Sequence, residues 1–459
     1  MRIFDSTALE TTREMRMGGD FSGMIGCQDL VFIESGRVRK RILWPRVEPR
    51  EAVKTRLYKF TRELPVEDRF LDPKHQLQLM ATHPKISQHG MAAMPNCNFG
   101  FMSATGVVVP LSGAVIPAVV GLDIGCGITA RKTSLKYADL PESLKELRLA
   151  IQESVPHGHS SLKHLSEDYG SWSSVPDSVQ SLYNKHLASE YTRIGKRDPE
   201  AVIEQPEQQL GTLGLPDHFV EMSSDELENI WIMVHTGSRK PGRKLGEYFT
   251  SVARKEMGVN AFSLPNVNLA YIEESSKSFK YYLAADRWAN KYAKFNRELI
   301  LRNVVNCLRQ HVSSSFRNFK GQLEVLDCPH NFVSKETHMG SELYVMRRGA
   351  ISAKLDELGI VAGTMTDKSY VVKGTGHDKS FESCSSGVGR TRSKSRQASY
   401  ADFSRALEKA DRPVEYRKSS RWMETAPSSY KNIAAVMRAQ GKLCSIVHTL
   451  TPILNIKGE

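Results

Sequence analysis

The stretch Gly121-Leu122-Asp123-Ile124-Gly125-Cys126-Gly127-Ile128 organises the chain. Three glycines within seven residues open positive-φ conformations and allow close backbone approach, so the stretch reads as a tight, specially shaped loop, not a strand interior. The apolar run before it, residues 107–120, is broken by Pro110, Gly113 and Pro117 and reads as two buried strands with turns. The loop therefore stands at the end of buried sheet and presents a carboxylate, Asp123, three residues before a thiol, Cys126. Asp with Cys is a mixed hard and soft donor pair, suited to a borderline divalent cation such as Mn, Fe, Co or Zn once imidazoles join it. A structural glycine-rich turn carrying a buried cysteine fits the same residues.

With 459 residues the chain can bury a large core, as two or three domains or as one large enzyme-like domain. No apolar run approaches the ~20 residues that cross a bilayer, and the N-terminus lacks a signal peptide's apolar centre, so no membrane partner is expected. The seven cysteines are odd in number and scattered, which argues against a disulfide framework and for a reducing cytoplasm where Cys126 can serve as a thiolate ligand. A net charge of +12 favours a polyanionic partner, RNA or DNA first, although a solvated basic surface gives the same balance. From residue 37 to 62 there are ten Lys/Arg against two acids, with Trp44, Tyr58 and Phe60 interleaved, a mixture suited to phosphate contact and base stacking. Residues 30–33 and 37–44 read as a hairpin around Glu34-Ser35-Gly36, and a hairpin with a merely charged outer face is the plainer alternative.

Further along, apolar spacing predicts helices over 72–82, 140–153 and 281–310, and near 403–410 and 429–440. The longest of these carries a core stripe of Leu283, Trp288, Tyr292, Phe295, Leu299 and Val304, with Cys307 as an inert member. Met94 to Gly100 reads as a loop, and residues 154–180 as irregular, with His157, His159 and His164 at the surface or facing RNA. Two strands end on histidines: 230–234 runs into His235-Thr236-Gly237-Ser238-Arg239, and 323–326 leads to Cys328-Pro329-His330-Asn331. With no repeat or low-complexity linker, the simplest architecture is α+β: one large interwoven domain with mixed sheets over 63–459, preceded by a basic extension over 1–62.

From about Pro65 onward the chain resembles the RtcB-type RNA-splicing ligases. The motifs V-G-x-D-I-G-C-G (from Val120), G-T-L-G-x-x-x-H-F-x-E (from Gly211), H-x-G-S-R (from His235), H-N-F-V (from His330), R-x-G-A (from Arg347), G-x-M (from Gly363), S-Y-V-V (from Ser369), G-x-G-R (from Gly387), Y-K (Tyr430) and terminal K-G (Lys457) occur in the family's order. The resemblance implies an enzyme that uses GTP and Mn(II), with two ions, to join an RNA 3′-phosphate or 2′,3′-cyclic phosphate to a 5′-hydroxyl, as in tRNA splicing and RNA repair. It implies that Cys126 bridges the two metals, with Asp123 and His218 on one and His235 and His330 on the other. It places Asp217, Glu221, Asn331, Gly363, Thr364, Met365, Ser369, Ser386, Gly387, Gly389, Tyr430 and Lys457 around the nucleotide, and Arg239, Arg347 and Arg390 on RNA or nucleotide phosphates. The partner implied is RNA with broken or cleaved ends, with the need for an accessory activator left open.

The chain departs from that pattern where the chemistry lies. Where the family carries its guanylylated histidine in S-H-G-A-G-R, this chain has Ser385-Ser386-Gly387-Val388-Gly389-Arg390, with Ser386 at the nucleophile's position. M-P-D-V-H becomes Met94-Pro95-Asn96-Cys97-Asn98, Asp217 replaces an asparagine before His218, and P-G-S-M-G becomes Ala362-Gly363-Thr364-Met365-Thr366. A serine hydroxyl is a far weaker nucleophile than neutral imidazole unless a base or metal activates it, and its phosphate ester leaves reluctantly. His377, in a glycine-rich loop upstream, is the nearest imidazole in sequence. Three readings follow: a ligase with an altered nucleotidyl step, a metal-binding pseudo-ligase that holds RNA without joining it, and a metal-dependent phosphodiesterase acting on RNA ends.

Overall fold

The strand that leaves the glycine loop, Gly127–Lys136, lies one in from the edge of an eight-stranded sheet. The computed structural model describes residues 27–34, 37–45, 57–59, 73–100, 102–158, 170–214, 217–312, 318–320, 323–391, 399–416 and 425–458. Across the sheet run Glu324–Pro329, Gly127–Lys136, Asn229–Thr236, Phe219–Ser224, Cys444–Lys457, Ser369–Gly374 and Leu358–Val361, each antiparallel to the next. Glu415–Tyr416 adds to Cys444–Lys457 in parallel. Pairing register does the positioning. His235 stands opposite both Ile128 and Phe219, and Pro329 stands opposite Gly127. The residues just outside those pairs, Cys126, His218 and His330, therefore arrive at the same end of the sheet as His235.

A second sheet of five strands runs Asn331–His338, Ser341–Arg348, Thr105–Leu111, Met91–Asn98 and Leu57–Lys59, the last pair parallel. Mixed sheets with helices packed against them make this an α+β fold. The chain divides into two compact units, Met1–Ala52 and Val53–Glu459. The first contains the expected hairpin, Cys27–Glu34 antiparallel to Arg37–Pro45. Among the described residues no helix is long and apolar enough to cross a membrane. All six cysteines whose side chains are described, Cys126 among them, are free thiols.

Several elements differ from the sequence reading. Residues 94–98, expected in a loop, belong to the buried strand Met91–Asn98. Its pairing with Thr105–Leu111 lapses between Ala93 and Asn98, and there the buried Lys431 ammonium donates to the Pro95 and Cys97 carbonyls at 2.9 and 2.6 Å. A side chain from 334 residues away completes that strand, so local sequence could not announce it. Of the two strands expected in 107–120, the second is only Ala114–Val115, followed by a helical turn Pro117–Val120, because Pro117 presets helical φ at its first position. The helix expected from 140 begins at Lys145, and the supposedly irregular 154–180 already contains the start of helix Asp177–His186. Helices Lys74–Ala81, Tyr400–Glu408 and Ile433–Ala439 fall where spacing put them. His159, His164 and the basic positions 392–396 lie outside the described residues.

The long helix is Lys277–His311, 35 residues, capped by the Ser276 hydroxyl accepting from the Ser278 amide. Its first half buries Phe279, Tyr282, Trp288 and Tyr292 in one core, and its second half buries Ile300, Leu301, Val304 and Leu308 in another beside the large sheet. Where the two meet, the expected stripe member Phe295 is only half-buried, while Asn296 and Arg297 are buried. Asn296 Oδ1 accepts from the Gly211 and Thr212 amides at 2.6 and 2.9 Å, and its Nδ2 donates to the Thr212 and Gly237 carbonyls at 3.1 Å each. One side chain thus fastens the loop before His218 to the turn after His235. Asn296→Leu keeps the volume but strands four buried backbone groups, each worth roughly 1–3 kcal/mol when unsatisfied. The expected outcome is a fall in unfolding free energy of about 4 kcal/mol or more, read as a lower urea midpoint with unchanged slope.

Candidate metal and nucleotide site

The loop that opens the large sheet is held by its backbone. Gly125 has φ 75°, and a Cβ there would meet Asn290 Cα of the long helix at 2.9 Å, so only glycine lets the loop press this close. Every carbonyl from Asp123 to Cys126 is taken. Asn331 Nδ2 donates to Asp123 O at 3.0 Å, the Ser238 hydroxyl to Ile124 O, Arg297 Nη1 to Gly125 O at 2.9 Å, and the His330 amide to Cys126 O at 2.8 Å. Arg297, 1% exposed, also donates to Thr236 O at 3.1 Å and pairs with Asp327 at 2.8 Å. With its carbonyls fixed, the loop can only aim its two polar side chains inward.

Those side chains meet three imidazoles. Asp123 Oδ2 lies 3.0 Å from His218 Nε2, Cys126 Sγ lies 3.6 Å from His218 Nε2 and 3.3 Å from His235 Nε2, and the Nε2 atoms of His235 and His330 are 3.4 Å apart. Two triads result, Asp123/Cys126/His218 and Cys126/His235/His330, each with its ligand atoms within 4.8 Å of one another, and Cys126 belongs to both. His218 Nδ1 donates to the Leu213 carbonyl at 2.9 Å, which leaves Nε2 as the lone-pair face toward the cluster.

The electrostatics suit a cation. Burial holds His235 well below the ordinary imidazole range, and the neighbouring His330 and His218 push the same way. Burial brings His330 down to about 3, against the pull of Asp123. Asp123 is raised by burial, but its bonds to His218 and Cys126 and the charge of Arg239 outweigh this and hold it below the usual carboxylate value. Burial and the Asp123 carboxylate push the Cys126 thiol well up. Neutral imidazoles and an ionised carboxylate are in the state that binds metal, and the thiol is the one donor that needs the cation to ionise. The donor set of one thiol, one carboxylate and three imidazoles fits two borderline divalent ions sharing the sulfur.

A second cluster adjoins Phe219–Ser224. Glu221 is buried and accepts from Ser223 Oγ at 3.0 Å and Asn455 Nδ2 at 2.8 Å, with Ser369 and Lys457 beside it. Ser369 Oγ in turn accepts from the Gly363 amide at 3.0 Å. Lys457 is buried, which lowers its pKa, while Asp217 and Glu221 favour its charge. Asp217 also faces Arg390 at 3.8 Å, and Arg390 donates to Tyr430 Oη at 2.9 Å.

Ser386 sits between the two clusters. Its amide donates to Gly349 O, Gly349 N donates to Asn331 Oδ1, and Asn331 Nδ2 reaches Asp123 O. On its other side Ser386 O accepts from the Ala362 amide, and Gly387 bridges Ala362, one residue before the Gly363 amide that bonds Ser369. Short hydrogen-bonded paths therefore tie Ser386 both to the ligand loop and to Glu221. Gly389 packs against Asn96, whose amide nitrogen also donates to Gly349 O at 2.8 Å.

Other expected residues fall elsewhere. Arg347, expected on phosphates, is fully buried: Glu336 takes its guanidinium at 2.6 and 3.0 Å, and Ser383 and the Phe381 carbonyl take the rest. It is a core ion pair, not an exposed anion contact. Met365 packs in a small core with Phe403 and Ala426, and Thr364 bonds Asp367 at 2.6 Å. Arg239 donates to Thr212 Oγ1 at 3.0 Å and Gly170 O at 3.1 Å. Asn296 and Arg297 were missed, since polar residues beside a helical stripe ordinarily face solvent.

A family model described as tRNA-splicing ligase RtcB matches residues 76–458. The chain belongs to the RtcB family. An RNA-splicing ligase RtcB of Escherichia coli strain K12 is 39% identical over 400 residues, covering 87% of this chain and 96% of the relative. A tRNA-splicing ligase RtcB of Methanococcus maripaludis is 27% identical over 431 residues, covering 82% and 88% respectively.

Glu221 offers a test of the second cluster. Burial raises its pKa from 4.5 to about 7, against its hydrogen bonds and Lys457. The folded value lies above the unfolded one, so the proton's contribution is fully present below the unfolded pKa and is lost as pH rises through the folded pKa. Urea unfolding of the wild type is expected to weaken by about 3 kcal/mol from this group between pH 4.5 and 8. Glu221→Gln should remove that part of the decline, so the difference between the two chains across this window is the readout.

Proposed function

We propose that this chain is an RNA-end-joining protein of the RtcB family that holds two divalent cations, Mn(II) first, and binds GTP, with its nucleotidyl step altered. The observation that carries the reading is the Cys126 thiol shared by the two ligand triads. Asp123 and His218 would hold one ion, His235 and His330 the other. The bound cations would neutralise crowded phosphates and lower the pKa of an attacking hydroxyl. The chain's own residues supply the rest. Leu213 O orients His218, Arg297 and Asn331 fix the loop, and Lys457, Arg390 and Tyr430 offer two cations and an aromatic ring to a guanine nucleotide. An RNA 3′-phosphate, or a 2′,3′-cyclic phosphate once opened, would supply the phosphorus and a 5′-hydroxyl would attack it, and the names of the bacterial and archaeal relatives support RNA splicing and ligation. The basic first 62 residues would add RNA affinity, and the cytoplasm is the proposed compartment.

Ser386 favours a second reading. Its backbone occupies the junction between the ligand loop and the Glu221 cluster, yet it brings a hydroxyl where an imidazole is expected. A protein that keeps the metal ligands but cannot form a nucleotidyl-histidine would act on cyclic phosphate ends as a metal-dependent phosphodiesterase, or bind RNA without joining it.

One measurement tests the metal site common to these readings, and a second separates them. Elemental analysis after reconstitution with Mn(II) should find bound metal in the wild type, and Cys126→Ala should lower the content of both positions whereas His330→Ala lowers one. Equal occupancy in Cys126→Ala overturns the shared-thiol site. Incubation with α-labelled GTP and Mn(II) should leave no acid-labile phosphoramidate anywhere on the wild-type chain. Acid-stable label abolished by Ser386→Ala would make the serine itself the acceptor, and acid-labile label lost in His377→Ala would name that imidazole instead. No label of either kind, with turnover of a 2′,3′-cyclic phosphate, establishes the phosphodiesterase.

A further inference from the structure

Outward along the long helix from Arg297, the helix and the strand Gly127–Lys136 line a cavity of about 500 Å³. Glu298, Arg302, Asn306 and Arg309 enter it from the helix, spaced three or four residues apart and so on one face. Arg131 enters from the strand, two residues beyond the Thr129 that bonds Arg297, and Lys320 closes the rim. Four of these six side chains are cations and one is an acid.

Arg131 feels the charge of Glu298 and Asp327, whereas among the described residues Arg302, Arg309 and Lys320 form no ion pair. Arg302 donates to the Ser178 hydroxyl at 3.3 Å, and the Arg309 guanidinium lies 5.4 Å from the Phe319 ring centre. Arg302, Arg309 and Lys320 are exposed, so their charge faces whatever enters. Arg131 is only 8% exposed, and its Nε has no hydrogen-bond partner among the described residues. An arginine fork facing an open cavity matches the geometry of phosphate.

Spacing narrows the anion. Arg302 and Arg309 stand seven residues apart on the helix, about 10 Å at 1.5 Å per residue, a spacing at which their two guanidiniums can take neighbouring phosphates of a repeating anion. Arg131 lies five positions along the strand from Cys126, about 16 Å at 3.3 Å per residue. A single strand with its end at the ligand cluster spans that distance within the ~4–16-nucleotide footprints typical of such grooves.

We propose that this cavity binds the phosphodiester backbone of single-stranded RNA away from its reacting end, as a site separate from the metal centre. The proposal rests on RNA being the substrate. Arg131 and the Arg302–Arg309 face grip successive phosphates, and Glu298 excludes the strand from the inner end of the helix face.

The test is fluorescence anisotropy of a labelled single-stranded RNA with a 3′-phosphate and 5′-hydroxyl, titrated across salt with the full-length chain, Mn(II) and no GTP. The variant reverses Arg302→Glu, Arg309→Glu and Lys320→Glu together. A control reverses three exposed lysines elsewhere, Lys196→Glu, Lys255→Glu and Lys277→Glu, with the same change in net charge. Each single-strand phosphate contact carries about 0.7 of log–log salt slope. The cavity variant should lose about 2 in slope and at least tenfold in affinity, with unchanged Mn content, while the control loses much less. Should charge reversal unfold the chain, Arg302→Gln with Arg309→Gln should still lose slope. Wild-type affinity and slope in the cavity variant overturn the cavity and leave the RNA reading standing. Equal losses in variant and control also overturn it, as an effect of net charge alone. Competition by inorganic sulfate at fixed ionic strength, present in the wild type and lost in the cavity variant, reassigns the cavity to a small anion and overturns the proposal. A wild-type chain that binds no RNA overturns the substrate reading and this one together.

Discussion

The buried Arg297 guanidinium is the contact on which the rest of the site depends. It sits in the middle of the long helix and donates to the Gly125 and Thr236 carbonyls while paired with Asp327. Those three partners lie on the ligand loop, the strand that ends beside His235 and the strand that ends at His330. A full positive charge withdrawn from water is tolerated only when its donors are met, so the three segments must converge for the helix to pack at all. Asn296, its neighbour, applies the same requirement to the loop before His218. The energetic demand of two buried polar side chains thus fixes the relative placement of four segments that carry metal ligands.

Convergence creates an electrostatic problem that a cation resolves. Three imidazoles, a thiol and a carboxylate meet within hydrogen-bonding distance, and burial keeps His235 and His330 neutral and Cys126 protonated. Lone pairs then face one another with few protons between them. Two positive ions sharing the sulfur would satisfy all five donors, and the same low-dielectric setting that penalises the lone thiolate would strengthen its bond to metal. The second cluster uses the opposite balance. Lys457, Arg390 and Asp217 stand around a buried Glu221 whose own charge is suppressed near neutrality.

Ser386 shows why retained geometry and retained chemistry are separate questions. Its main chain makes the bonds that tie the ligand loop to the Glu221 cluster, and backbone bonds are indifferent to the side chain that accompanies them. The same backbone bonds would form with any side chain at this position, and an alkoxide is a poorer leaving group than imidazole. Asp217 adds a negative charge beside Lys457, where Arg390 meets it.

Motif order alone determined the family and the five candidate ligands, because glycine-bounded turns and strand-ending histidines are written locally. Periodicity likewise placed the helices near 74–81, 277–311, 400–408 and 433–439, since one apolar face suffices to call a helix. What the sequence could not carry were contacts made across long separations. The strand Met91–Asn98 depends on Lys431, Arg347 is consumed by Glu336 inside the core, and Asn296 and Arg297 are buried because the long helix is covered on two sides. A polar residue beside an apolar stripe looks the same in sequence whether water or a second core lies against it. Only tertiary packing decides which, and here that decision holds the ligand loop in place.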